Sequence, residues 1–332
     1  MAGRFLSLFG PLSRFLPEIN SPTRKVSFNE KLFWTAMALI VYLVMSEVSL
    51  YHVGAVNGNQ AIQIIFASQQ GKLTALGIGP IVTGGLILQL LIGSGIINAD
   101  LGNSEDRSLF TAATKVFSIL LTGVQAAAYL IGGVYGPLDT VSVLIVFIQL
   151  LIAGLVLMLL DEMMQKGWGI GSGISLFIMA GVAQTIMWSS FSPFGPMSDG
   201  KNFGAFIALG QTILGGENLA NAFFRIDPSN GALTTLPSMT GFLTTAVVFV
   251  LVIYMEGIRV ELPISHANYR GFRGKYPVKL LYVSNLPVIF ASALFANIQI
   301  FAQLLYNQFG ADNFFVNILG TFNQDGAITG GL

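Results

Sequence analysis

The sequence of 332 residues contains no cysteine, only two histidines and only 10% charged residues. Each shortage excludes something. Without cysteine there are no disulfides and no thiolate metal ligands. His52 and His266 fall in separate segments, too few and too scattered for a metal site, and read as ordinary loop or interface residues. Soluble domains carry roughly 25% charged residues, so a charged share this low, beside 53% hydrophobic residues, places the chain in a bilayer. Met1 to Glu30 lacks a continuous apolar core followed by a small-residue cleavage site, so no cleaved signal peptide is expected. "GRFLSLFGPLSRFLPEI" reads instead as an amphipathic helix lying on a membrane face.

What the chain does have is long uncharged intervals. They run from Lys72 to Asp100, Lys115 to Asp139, Asp139 to Asp161, Lys166 to Asp199, Asp227 to Glu256 and Lys279 to Asp312, with a further one from Lys31 to Glu47 extended by "VSLYHV". A spanning helix needs about 20 apolar residues. The pattern therefore predicts an all-α, polytopic helix bundle with seven spans: Leu32 to Leu50, Thr74 to Ile97, Leu109 to Gly133, Thr140 to Asp161, Ile170 to Met187, Met239 to Tyr254 and Leu280 to Gln308. With the N-terminus in the cytosol, thirteen of the 16 Lys and Arg residues lie on cytosolic flanks and only Lys72, Lys201 and Arg225 outside, as the positive-inside rule requires.

Two connections are long. The outer one, 191–238, has Pro-, Gly- and Asn-rich turns around "FGAFIALGQTILGG", which reads as an interfacial or short loop helix. The inner one, 259–279, is basic. The glycine-rich run in "DEMMQKGWGIGSGISLF" lacks the preceding strand and the Lys-Ser/Thr of a phosphate loop, and reads as a tight turn feeding a helix. Asp161, Glu162, Glu47 and Glu256 lie near span ends, leaving the amides Gln89, Gln125, Gln149, Asn285, Asn297 and Gln299 at greater depth. Ion-coupled carriers keep ionisable groups near the midplane, so a secondary transporter with broken helices is the runner-up reading. Paired catalytic groups at span depth are absent, so no enzyme is expected.

"LGIGPIVTGGLILQLLIGSGII", "WGIGSGISLFIMAGVAQTI" and "GKYPVKLLYVSNLPVIFASALFANIQ" together resemble the SecY family, the channel-forming subunit of the protein translocon, in a flavour closer to its archaeal and endoplasmic-reticulum branch than to the bacterial one. The resemblance runs from about Arg14 onward. Family members have ten spans in two pseudo-symmetric halves, whereas this chain stops at "NQDGAITGGL", after the seventh, and is expected to be a fragment. On that frame 1–30 is a cytosolic amphipathic N-terminus, 31–190 the first five-span half, 191–238 an external loop, and 239–332 the start of the second half.

The resemblance implies a pore for secretory polypeptides, opening sideways to release membrane proteins into lipid. Its waist is a ring of aliphatic side chains, here Ile78, Val82, Ile174, Ile178 and Ile289. A plug half-helix at 59–73 covers the ring, carried by Gln60, Gln63, Ile64, Ile65, Phe66 and Ser68, with Gly77, Gly79 and Pro80 as the break before the next span. A lateral gate has its polar positions at Thr83, Gln89, Gln125 and Asn297, and ribosome docking falls to Arg270, Arg273 and Lys275. The implied partners are the ribosome, signal sequences and nascent polypeptides, membrane lipid, and small single-span subunits of the SecE/gamma and beta types. No cofactor and no DNA partner are implied.

Overall fold

The local signals at helix starts act as the sequence dictates. Ser27 and Glu30 form a capping box before the first helix, α1 (Phe28–Glu47): the Ser27 hydroxyl accepts from the Glu30 amide at 3.3 Å, and the Glu30 carboxylate accepts from the Ser27 amide at 3.2 Å. Helix α2 (Gly79–Gly93) opens with Pro80 in its first turn, where the missing N–H costs nothing. Helix α3 spans Ser104–Ile131, and α4 (Thr140–Met163) is capped by Asp139. Helix α5 covers Gly173–Phe191; in the following connection lie α6 (Ala205–Leu214) and the single turn α7 (Ala220–Phe223). Ser238 then caps α8 (Met239–Gly257). This computed structural model describes residues 11, 16–54, 63–64, 66–97, 99, 102–197, 199–216, 218–225, 236–265, 273–280, 291–295, 297–299, 301–302, 305–306, 321–322 and 328–330.

Among the described residues, five helices are long and apolar enough to cross a membrane: α1, α3, α4 with its continuation to Trp168, α5 and α8. The expected span at Thr74 to Ile97 is shorter than hydropathy predicts. Its helical part is the 15 residues of α2, about 22 Å, because 74–78 before it and 94–97 after it are taken up by turns. For the expected seventh span, residues 291–295, 297–299, 301–302 and 305–306 are helical and the rest lie outside the described residues. The inner basic loop is not all-α: β1 (Arg259–Ser265) pairs antiparallel with β2 (Arg273–Lys279), Arg259 facing Lys279 and Ser265 facing Arg273. A second two-stranded pairing joins β3 (Thr321–Phe322) to β4 (Ile328–Gly330).

The chain divides into two compact units, one comprising 1–182 with 286–332 and the other 183–285. In the first, α2 packs along α3 and α3 along α4. The α2–α3 approach is close enough that a Cβ at Gly84 would stand 2.9 Å from the Ser118 hydroxyl. The glycine-rich run after α4 folds as the tight turn expected of it. A π-helical turn, Met164–Trp168, contains Gly167 at φ +98, a left-handed value that suits glycine. Asp161 then reaches across the turn, its carboxylate accepting from the Ile174 amide at 3.1 Å and from the Gln165 side chain at 2.8 Å, and so caps the first turn of α5. Beside it Glu162 pairs with Lys115 and with Lys166, and Lys166 also holds Glu18 at 2.6 Å. The Lys166 hydrogen bond, with Lys115 close by, holds the Glu18 carboxyl below its ordinary range despite partial burial. The Trp168 indole donates to the Asn20 carbonyl at 2.8 Å, tying the residues before α1 to this corner.

The second unit is organised around a charge. Arg225 is almost wholly buried and donates to both Asp199 oxygens, at 2.6 and 2.9 Å, and to the carbonyls of Asn202, Phe203 and Pro237. Burial pushes the Asp199 carboxyl up, but the bonds from Arg225 and the Lys201 amide outweigh it and leave its pKa lowered.

Candidate functional site: an aliphatic waist beneath a seated half-helix

Four of the five aliphatic residues expected at the waist come together. Ile78 and Val82 belong to one buried cluster with Phe66, Tyr42 and Phe177, and Ile174 and Ile178 pack against it from α5; Ile289 lies outside the described residues. Ile78 and Phe177 are 0% exposed and Val82 3%, so the contact is dry. The reason lies in the chain: Ile174 and Ile178 are one turn apart on α5, and Ile78 and Val82 one turn apart at the start of α2, which puts each pair on one face.

The half-helix expected at 59–73 is helical at Gln63, Ile64 and Phe66, while Gln60 and Ile65 lie outside the described residues. Its end is fastened to the start of α2. The Phe66 carbonyl accepts from the Ile78 amide at 2.9 Å, and the Ala67 carbonyl accepts from the Tyr42 hydroxyl of α1, also at 2.9 Å. The Tyr42 ring in turn stacks on Phe177 of α5 at 5.1 Å. Phe66 itself is buried, with its ring lying 3.5 Å from where a Cβ on Gly79 would stand, and Ser68 is buried beside it. Gly77 makes this possible: it has φ +54, and a Cβ there would sit 2.1 Å from the Phe66 carbonyl oxygen. Further on, Gly71 and Leu73 bond the backbone beyond α1, at Leu50 and Val48, and the Lys72 ammonium donates to the Glu47 carbonyl at 3.0 Å. Tyr42, which composition and hydropathy did not single out, is the main addition to the site. Its signal in the sequence is only a tyrosine at mid-depth in a span.

Three of the four polar seam positions are bonded to one another. Asn297 donates to the Thr83 hydroxyl at 2.9 Å and accepts from Gln125 at 2.7 Å, while its amide also donates to the Ala293 carbonyl within its own helix. Gln125 and Thr83 are buried, and the three residues come from α3, α2 and the helical residues around 297. Gln89 is exposed further along α2 and, among the described residues, is not bonded to these three. Elsewhere, Gln149 accepts from the Tyr51 amide at 3.0 Å, so that amide serves the turn after α1. On the β1–β2 hairpin, Lys275 is exposed and pairs with Glu261 at 2.6 Å, Arg273 faces Ser265 in the register, and Arg270 lies outside the described residues.

The fold that carries these residues has counterparts among known proteins. The SecY family model matches residues 72–324. The chain belongs to the SecY family. It is 41% identical to the Sec61 subunit alpha of Dictyostelium discoideum, an alignment covering 97% of this chain and 68% of that one, and 40% identical to the Neurospora crassa counterpart over 96% and 68%. These SecY relatives are eukaryotic, consistent with the endoplasmic-reticulum side of the resemblance. Among solved structures, a protein-conducting channel superposes with TM-score 0.76 at 38% identity, and Sec61 from a canine ribosome-channel complex with 0.75 at 38%; each covers 97% of this chain and 67% of its own. Like its SecY relatives, the protein is a multi-pass membrane protein and not an enzyme.

Proposed function

We propose that the chain is the pore-forming subunit of a protein-conducting channel, passing secretory polypeptides across the membrane and releasing membrane proteins sideways into the bilayer. The observation that carries this reading is the buried pair Ile78 and Val82 under Phe66, with Ile174 and Ile178 of α5 packed against it. A narrow ring of branched aliphatic groups keeps water and ions out by dewetting, yet its side chains can part around a polypeptide. Ile289 is proposed as a further member, and 59–73, with Gln60, Gln63, Ile64, Ile65, Phe66 and Ser68, as the plug that completes the seal.

The seam joining Thr83, Gln125 and Asn297 is proposed as the lateral gate. Interhelical bonds in membranes are worth only about 1 kcal/mol each, which suits a seam that must open for an apolar signal sequence. Among the described residues of the first unit, Glu162 at the end of α4 is neutralised by Lys115 and Lys166, which speaks against ion coupling there, and the driving force is proposed to come from outside the chain. The N-terminus is placed in the cytosol on the basic-residue count, which puts the β1–β2 hairpin there too. One solved relative stands in a ribosome-channel complex and another, at 26% identity, is bound to a yeast ribosome. The hairpin is proposed to dock the ribosome, with small SecE/gamma- and beta-type subunits packing at the bundle's rim.

Proteoliposomes carrying the chain with such subunits are expected to take up a ribosome-bound secretory precursor into protease protection. Protection no greater than in protein-free vesicles would overturn the reading. Reversing Arg270, Arg273 and Lys275 to glutamate is expected to weaken ribosome binding about tenfold or more, since contacts to RNA phosphates are electrostatic, with membrane insertion unchanged. Equal binding by the reversed hairpin would remove it from the docking surface.

A further inference from the structure

The connection between α5 and α8 is built inside out for a loop in water. Helix α6 turns Ala205, Ala208 and Thr212 inward, each at 3% exposure or less, and Thr212 accepts there from the ammonium of Lys201 at 2.8 Å. The charged side chains among the described residues of this connection, Asp199, Lys201 and Arg225, are all drawn into that interior. The outward side is largely apolar: Leu214 is 89% exposed and Ile213 59%, beside the exposed Gln211, and Phe194 and Leu219 are exposed in the same connection. Helix α6 itself carries no charge. A surface helix facing water shows the reverse arrangement, with its apolar stripe inside.

The position of α6 says what covers this face. The Phe206 ring stacks on Phe191 at the end of α5, centroids 5.0 Å apart, and meets Phe242 in the first turn of α8 edge-on at 4.8 Å. Helix α6 is thus held against the end of α5 and the first turn of α8, and α8 also exposes Leu243 and Val247 just beyond that turn. Trp188, exposed one turn before the end of α5, marks the same level, where aromatic side chains concentrate at membrane–water boundaries. Ten residues of helix are about 15 Å long, too short to cross but suited to lying in the interface.

We propose that α6 is an interfacial anchor, lying in the headgroup–acyl boundary of the leaflet at the C-terminal end of α5, with Ile213 and Leu214 inserted among lipid chains. This rests on reading α5 and α8 as membrane spans, and the test separates the two. Because the chain has no cysteine, Leu214→Cys and Val248→Cys, the latter midway along α8, each offer one labelling site for an environment-sensitive fluorophore. In phosphatidylcholine vesicles, the probe at 214 is expected to resist aqueous iodide and to be quenched at least about twofold more by a spin label near the lipid headgroup than by one deep in the acyl chain, as an interfacial position requires; the probe at 248 should show the opposite preference. Free access of iodide to 214 without lipid quenching would overturn the proposal. So would protection from both quenchers, which would mean a protein cover. If 248 also escapes lipid quenching, the reading of α8 as a span fails and the anchor fails with it.

Discussion

Replacing Gly77 with valine is expected to make the channel leak ions without any substrate. The Cβ would stand 2.1 Å from the Phe66 carbonyl oxygen, a backbone atom that cannot swing aside. The residue's φ of +54 adds strain, of about 1–2 kcal/mol for a residue with a Cβ, and more for a β-branched one. The seat itself is held chiefly by the burial of Phe66, worth about 1.5–3 kcal/mol, and by the hydrogen bonds from Ile78 and Tyr42. Since 1.4 kcal/mol is a factor of ten, overlap and strain together are expected to shift the balance from seated to unseated by about tenfold or more. Halide efflux from proteoliposomes measures it. Gly85→Ala is the control, because its Cβ meets only the Thr114 methyl at an ordinary 3.8 Å; efflux should rise for Gly77→Val and stay at the parent level for Gly85→Ala. An unchanged efflux in both would mean that Phe66 does not seal the waist.

Asn297→Leu is expected to lower the hydrophobicity a signal sequence needs to enter. In the closed seam the substitution removes the bonds to Thr83 and Gln125 and leaves the Gln125 amide buried without its partner. An opened seam lets that amide meet water or substrate, so the closed form bears the loss. Two membrane hydrogen bonds at about 0.6–1 kcal/mol each correspond to a shift of roughly tenfold in the closed-to-open ratio. A translocation assay over a series of signal sequences graded in leucine content reads the threshold, with Asn297→Gln as the variant that keeps an amide. Selectivity identical to the parent protein would contradict the role proposed for this seam.

Much of this was legible because the physics is local. The Gly-Pro break at the start of α2 and the glycine-rich turn before α5 each act within a few residues, and the uncharged intervals mark the long helices within a single stretch of chain. The seam was legible in part: Thr83, Gln125 and Asn297 meet, whereas Gln89 does not. Six residues on from Thr83 at about 100° each leave Gln89 about 120° round the helix, so periodicity already argued against it. Less accessible were features made by distant partners. Arg225 looked like a basic residue to be counted for orientation, but it is the buried centre of its unit, paired with Asp199 across 26 positions. Tyr42 acquires its role only when the carbonyl of Ala67 arrives beneath it. The length of α2 was overread for the same reason, since hydropathy cannot tell an apolar helix from apolar turns such as those at 74–78, which bond one another, Gln69 and Phe66.

A translocating polypeptide is expected to pass through the waist at Ile78. A photoreactive residue placed at 78 or at 82, in the chain reconstituted with its partner subunits, should cross-link to a ribosome-stalled secretory precursor once the nascent segment is long enough to reach it. The same probe at Val247, exposed on α8, should not. Cross-links at Val247 with none at 78 or 82 would place the path outside the waist.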